Sequence, residues 1–144
     1  MKKTKTHKIK WTLGLLIAVF LLLIGYFMIP MPPEIRRTLF FAAAVLGIAF
    51  FILGIVLIVF TVRQKVKGGL KWFLVLTGAS SAAVFPSVIL HNLVYALFIC
   101  LFGADFWGSG GDEAFFFILA LMVCPLVFLV SATGSVILLR RGKK

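Results

Sequence analysis

Residues 71–102 read KWFLVLTGASSAAVFPSVILHNLVYALFICLF, an apolar run longer than a straight membrane crossing requires. Roughly 20 apolar residues suffice to cross ~30 Å of hydrocarbon as a helix. The middle of this run carries Thr77, Gly78, Ser80, Ser81, Pro86, Ser87, His91, Asn92 and Tyr95. Hydrocarbon penalises unpaired polar groups, so side chains of this kind are expected to face protein or a hydrated cavity. On a regular helix Ser80, Ser87, His91 and Tyr95 fall near one face, with Thr77 and Ser81 alongside, although Pro86 disturbs the phase. This polar stripe is the candidate functional face. Asn92 is a candidate corner, after which residues 93–102 either extend the span or lie along the outer surface.

Working outward, three further apolar runs complete the chain. With 62% hydrophobic residues among 144 and a mean hydropathy of +1.17, the runs are apolar around the whole helical circumference, unlike helices of a soluble domain. Membrane β-barrels alternate apolar and polar residues over about ten positions, a pattern missing here. The expected fold is therefore all-α, a single domain over 1–144 forming a four-helix transmembrane bundle, with spans at about 11–29, 38–62, 72–102 and 114–139. The first span is too long for a signal-peptide core and is followed by IPMPPE instead of a small-x-small cleavage pattern, so it reads as retained. Pro30, Pro32 and Pro33 end it. Small residues align on span two (Ala43, Gly47, Gly54) and span one (Gly14, Ala18), where another backbone can approach. The second connection, RQKVKGGLK, holds Gly68 and Gly69 for a tight reversal. The loop at 103–113, GADFWGSGGDE, is acidic and glycine-rich, is expected to be mobile, and places Trp107 at an interfacial level.

A net charge of +11 would suggest nucleic acid in a soluble protein, but its distribution says otherwise. Lys2, Lys3, Lys5, Lys8 and Lys10 precede the first span as a basic tail over 1–10. Arg63, Lys65, Lys67 and Lys71 lie between spans two and three, and Arg140, Arg141, Lys143 and Lys144 follow the fourth. Only Arg36 and Arg37 occupy the opposite side, with all four acidic residues, Glu34, Asp105, Asp112 and Glu113. This positive-inside bias predicts both termini in the cytoplasm of a cell-membrane protein, with the anionic lipid leaflet rather than nucleic acid as the partner of the basic ends.

Pro86 lies 14 residues after Trp72 and Pro125 lies 14 before Leu139. Spans three and four run in opposite directions, so both prolines are expected ~21 Å above the cytoplasmic end. Breaks at one depth make Pro86 and Pro125 a candidate hinge, or tolerated kinks in a static bundle.

The chemistry-bearing residues are few. His91, ~28 Å above Trp72, is expected at the outer interface, hydrogen-bonded to a carbonyl or a headgroup. Only Cys100, Asp105 and Asp112 are expected on its side as further metal ligands, a weak set for zinc, and no second axial ligand for haem accompanies it, so no metal or cofactor is expected. Ser80 or Ser87 with His91 lacks a carboxylate partner and an oxyanion element, which argues against hydrolysis. Carboxylates are missing from every span, against cation-coupled antiport. Cys100 and Cys124 are expected at different depths and unbridged, as packing residues.

The segments TGAS (Thr77 to Ser80), LHNLVY (Leu90 to Tyr95) and CP (Cys124 to Pro125) resemble those of small four-span membrane proteins of unknown function from bacteria and archaea. The resemblance covers about half the chain and implies topology, with no activity attached. The expected function is a non-enzymatic packing or partner-binding membrane component. The alternative is a small homo-oligomeric channel or transporter for an anion or neutral solute, using the polar face of span three.

Overall fold

The computed structural model describes residues 2–108 and 111–141, with side chains from residue 7 onward. The side chains of Lys2, Lys3 and Lys5, and the whole of Lys143 and Lys144, counted above in the charge bias, lie outside the described residues. Four helices are long and apolar enough to cross a membrane, and no strand occurs among the described residues.

Span one is a helix over Lys2–Met28. The basic tail is thus not a separate segment: its backbone forms the first turns of that helix. Span two, Pro33–Arg63, starts with proline at its first position, where the missing N–H costs no hydrogen bond, and carries Glu34 in its first turn and Arg63 in its last, matching the helix dipole. Lys65 (φ 52°) and Gly68 (φ 67°) take left-handed conformations that reverse the chain. Span three runs unbroken over Gly68–Phe102, with Pro86 inside it. At 35 residues it is ~52 Å long, well beyond the hydrocarbon thickness. Residues 93–102 therefore extend the span. Asn92 is no corner, because its amide donates to the Val88 carbonyl one turn back at 2.8 Å and the helix continues to Gly103 (φ 93°).

The fourth span has three parts: an α-helix Ala114–Ile118, a π turn Leu119–Val123, and an α-helix Cys124–Arg141. The Cys124 N–H reaches back to the Leu119 carbonyl, and Pro125, which has no N–H to donate, follows directly. A widened turn beside proline is a common way to relieve the clash of its ring with the preceding turn.

Consecutive spans pack side by side, and the ring closes where Phe20 of span one meets Phe128 of span four at 4.5 Å between centroids. Phe50 joins them at 5.1 Å from Phe128. Ile9, Leu13, Leu16, Leu57, Leu74 and Ala132 complete a closely filled interior, while bulky residues such as Phe41, Trp72, Leu101 and Val130 point outward. An apolar exterior around a small, partly hydroxylated interior is the arrangement that lipid as solvent favours.

Candidate functional site

Spans two and three cross at glycine on glycine. A Cβ on Gly54 would come within 2.6 Å of the Gly78 carbonyl and would also strike Ser81 Oγ, and one on Gly78 would meet the Gly54 carbonyl at 2.6 Å. That closeness lets Ser81 Oγ donate to the Phe50 carbonyl at 2.8 Å across the helix pair. On the other flank Thr77 Oγ1 lies 2.7 Å from the Phe73 carbonyl of its own helix and 3.0 Å from Ser131 Oγ of span four, while Ser131 donates within its own helix to the Val127 carbonyl at 2.6 Å. Ser80 turns back on its own helix, to the Thr77 carbonyl at 3.1 Å. Thr77, Ser80, Ser81 and Ser87 are all buried. Phe73 packs over Gly134, and Ser135, one turn beyond Ser131, is buried with its hydroxyl unpartnered.

The upper part of the stripe is separate. His91 is half-buried and meets the residues that open span four. Its Nδ1 lies 2.8 Å from the Glu113 backbone carbonyl and 3.2 Å from Glu113 Oε2. Both are acceptors, so Nδ1 carries the hydrogen. Nε2 lies 3.5 Å from Asp112 Oδ2, a contact that becomes a hydrogen-bonded ion pair when the ring is doubly protonated. Glu113 in turn accepts from the N–H groups of Phe115 (2.7 Å) and Phe116 (3.1 Å), capping the helix, and Asp112 Oδ1 accepts from Glu113 N–H at 2.7 Å. Phe117 packs beside the imidazole, 5.5 Å between centroids.

His91 hydrogen-bonds a carbonyl, and the reading that it lacks a carboxylate partner is corrected: Asp112 and Glu113 both neighbour it, and Glu113 is buried where the loop meets span four. An acidic residue directly before an apolar run is a helix-start signal and was the clue available. Ser80, eleven residues before His91, is hydrogen-bonded to its own helix. No group of three or more metal-ligating side chains occurs among the described residues.

Tyr95 also has a partner that sequence spacing did not reveal. Trp107 stacks on it at 5.9 Å and donates its indole N–H to the Tyr95 carbonyl at 3.3 Å. Phe98, Phe102 and Phe106 surround the pair. Through residue 108 the loop lies against the last turns of span three by aromatic contacts. Cys100 is exposed and Cys124 buried, both as free thiols.

The three segments that carry the family resemblance thus fall at three levels: TGAS between spans two and four, CP just past the π turn, LHNLVY at the loop end. No protein-family model, no curated protein and no solved structure matches this chain.

Proposed function

We propose that this chain is a non-enzymatic, multi-pass component of the cell membrane, with both termini cytoplasmic, that acts by packing against itself or another membrane protein. The observation that carries this reading is the use made of the third span's hydroxyls. Ser81 is spent on the Phe50 carbonyl, and Thr77 is shared between the Phe73 carbonyl of its own helix and Ser131 of span four. Groups that fasten helices together serve the bundle, and are not presented to a solute or a reacting bond. The orientation rests on the thirteen cations at the terminal end against two at the other. For a partner, the half of span two before Gly54 is the best suited. Ala43 and Gly47 lie on the side of the helix that Gly54 turns toward span three, but the space beside Gly47 is open.

Crosslinking in native membranes, followed by extraction in mild detergent, should trap a discrete complex containing a second copy or another membrane protein, and Gly47→Leu should abolish it. A monomer under every condition, or a complex indifferent to that substitution, would remove the reading.

One observation favours a second reading, a homo-oligomeric path for an anion or neutral solute. Span four departs twice from a saturated helix, at the π turn and at the unpartnered Ser135 hydroxyl. Because Thr77, Ser80, Ser81 and Ser87 are buried within one chain, such a path would need the span packing to open. Flux through reconstituted protein that falls on Ser87→Leu, with the fold intact, would establish it in place of the first.

A further inference from the structure

Spans one and four touch through Phe20 and Phe128, yet they part toward the termini. There they border an open cleft of about 190 Å³ lined by Lys10, Leu13, Gly14, Ile17, Val136, Leu139 and Arg140. Span one leaves the terminal end as span four returns to it, so the lining is graded. Lys10 and Arg140 stand at the end of the bundle, and the apolar residues lead ~10 Å inward from them to the level of Ile17. That order, cation first and hydrocarbon after, is the polarity order of a phospholipid. Lys10 and Gly14 also line a shallow, open furrow along the other flank of span one, with His7, Trp11 and Leu15 of the same helix. Gly14 presents no side chain to divide the two, and nothing would lie within 4 Å of a Cβ there. Two apolar furrows under a shared cationic end match two acyl chains under one headgroup. The Trp11 indole, fixed by its hydrogen bond to His7 Nε2 at 2.8 Å, sits beside them as an interfacial aromatic.

No acidic side chain stands near these cations: Glu34, in the first turn of span two, and Asp105, Asp112 and Glu113, in the loop before span four, all lie at the opposite end of the bundle. We infer that the cleft between spans one and four is a binding site for an anionic diacyl phospholipid, its phosphate between Lys10 and Arg140 and its chains in the furrows either side of Gly14. Basic pockets between membrane helices recognise lipid headgroups through this combination. The inference holds whichever partner span two takes.

Native mass spectrometry of the full chain in detergent supplemented with phosphatidylglycerol or phosphatidylcholine reads the site directly. Wild type should retain one phosphatidylglycerol in preference to phosphatidylcholine. The double variant Lys10→Gln/Arg140→Gln should bind phosphatidylglycerol about thirtyfold more weakly, the loss expected for two interfacial cations. Lys65→Gln/Lys67→Gln, with the same change in net charge at the same end of the bundle, should keep the preference. Gly14→Leu should lower retention of both lipids by filling the furrows. Equal losses in the two charge variants would mean a diffuse basic surface and overturn the site. So would undiminished retention in Gly14→Leu, provided circular dichroism shows each variant folded.

Discussion

At Gly54 a single methyl group separates a closed helix pair from an open one, because the atoms it would meet include the backbone of span three. Backbone cannot swing aside as a flexible side chain can, so Gly54→Ala should destabilise the protein by about 1–3 kcal/mol, the usual cost of overpacking. Gly47→Ala has open space and should be neutral or gain up to about 1 kcal/mol from helix propensity. Melting temperatures of the two variants in one detergent check the contrast; equal shifts would count against the close crossing. The hydroxyl pair Thr77 and Ser131 calls for a double-mutant cycle to alanine. A coupling of about 0.6 kcal/mol is expected, the average for such bonds inside membranes, since polar groups in the unfolded, inserted chain find other partners. Serine and threonine are readable as polar intruders in an apolar string. Which of them bonds to span two, which to span four and which to its own helix depends on rotation about an axis that the string does not contain.

Among the elements, the start of span four is the least self-sufficient. Its first α-helical piece has five residues before the π turn, too short to hold itself, and Glu113 caps it while Trp107 and Tyr95 anchor the preceding loop. Glu113→Ala should therefore cost about 0.5–2 kcal/mol through the lost cap, with amide exchange accelerating around residues 113–118 and unchanged in the helix from Cys124 onward. His91→Ala should reproduce part of that local loosening. If exchange rises evenly along all four spans instead, the cap is not a local device. The deep aromatic trio behaves differently. Phe128→Ala removes a ring 2% exposed between Phe20 and Phe50, and since lipid is as apolar as the core, the cavity supplies most of the cost, about 2 kcal/mol.

For the molecule as a whole, span three outruns the membrane. Cys100 stands 28 residues beyond Trp72 on one continuous helix, a rise of ~42 Å against ~30 Å of hydrocarbon, and it is exposed, whereas Cys124 is buried. On the proposed orientation, with both termini cytoplasmic, a membrane-impermeant maleimide added to intact cells or spheroplasts should label the chain once, and Cys100→Ser should abolish that labelling. Labelling that requires membrane disruption would invert the proposed topology. The exposed aromatic and leucine shell has the same origin as the small interior: four helices in a bilayer need not bury greasy surface from water, so packing is won by small side chains, hydroxyls and a few rings.

The class of the protein, four apolar helices with the cations gathered at the terminal end, was fixed by composition and spacing, because the free energy of placing each residue in hydrocarbon is nearly independent of its neighbours. Tertiary structure alone decided that Gly54 faces Gly78 while Gly47 stays open. It alone brought Asp112 and Glu113 to His91, closed the aromatic loop over Tyr95, and parted spans one and four beneath Lys10 and Arg140. Those outcomes depend on how far each rod is rotated and tilted against the next, a choice settled by side chains meeting across helices and written in no single stretch of the chain.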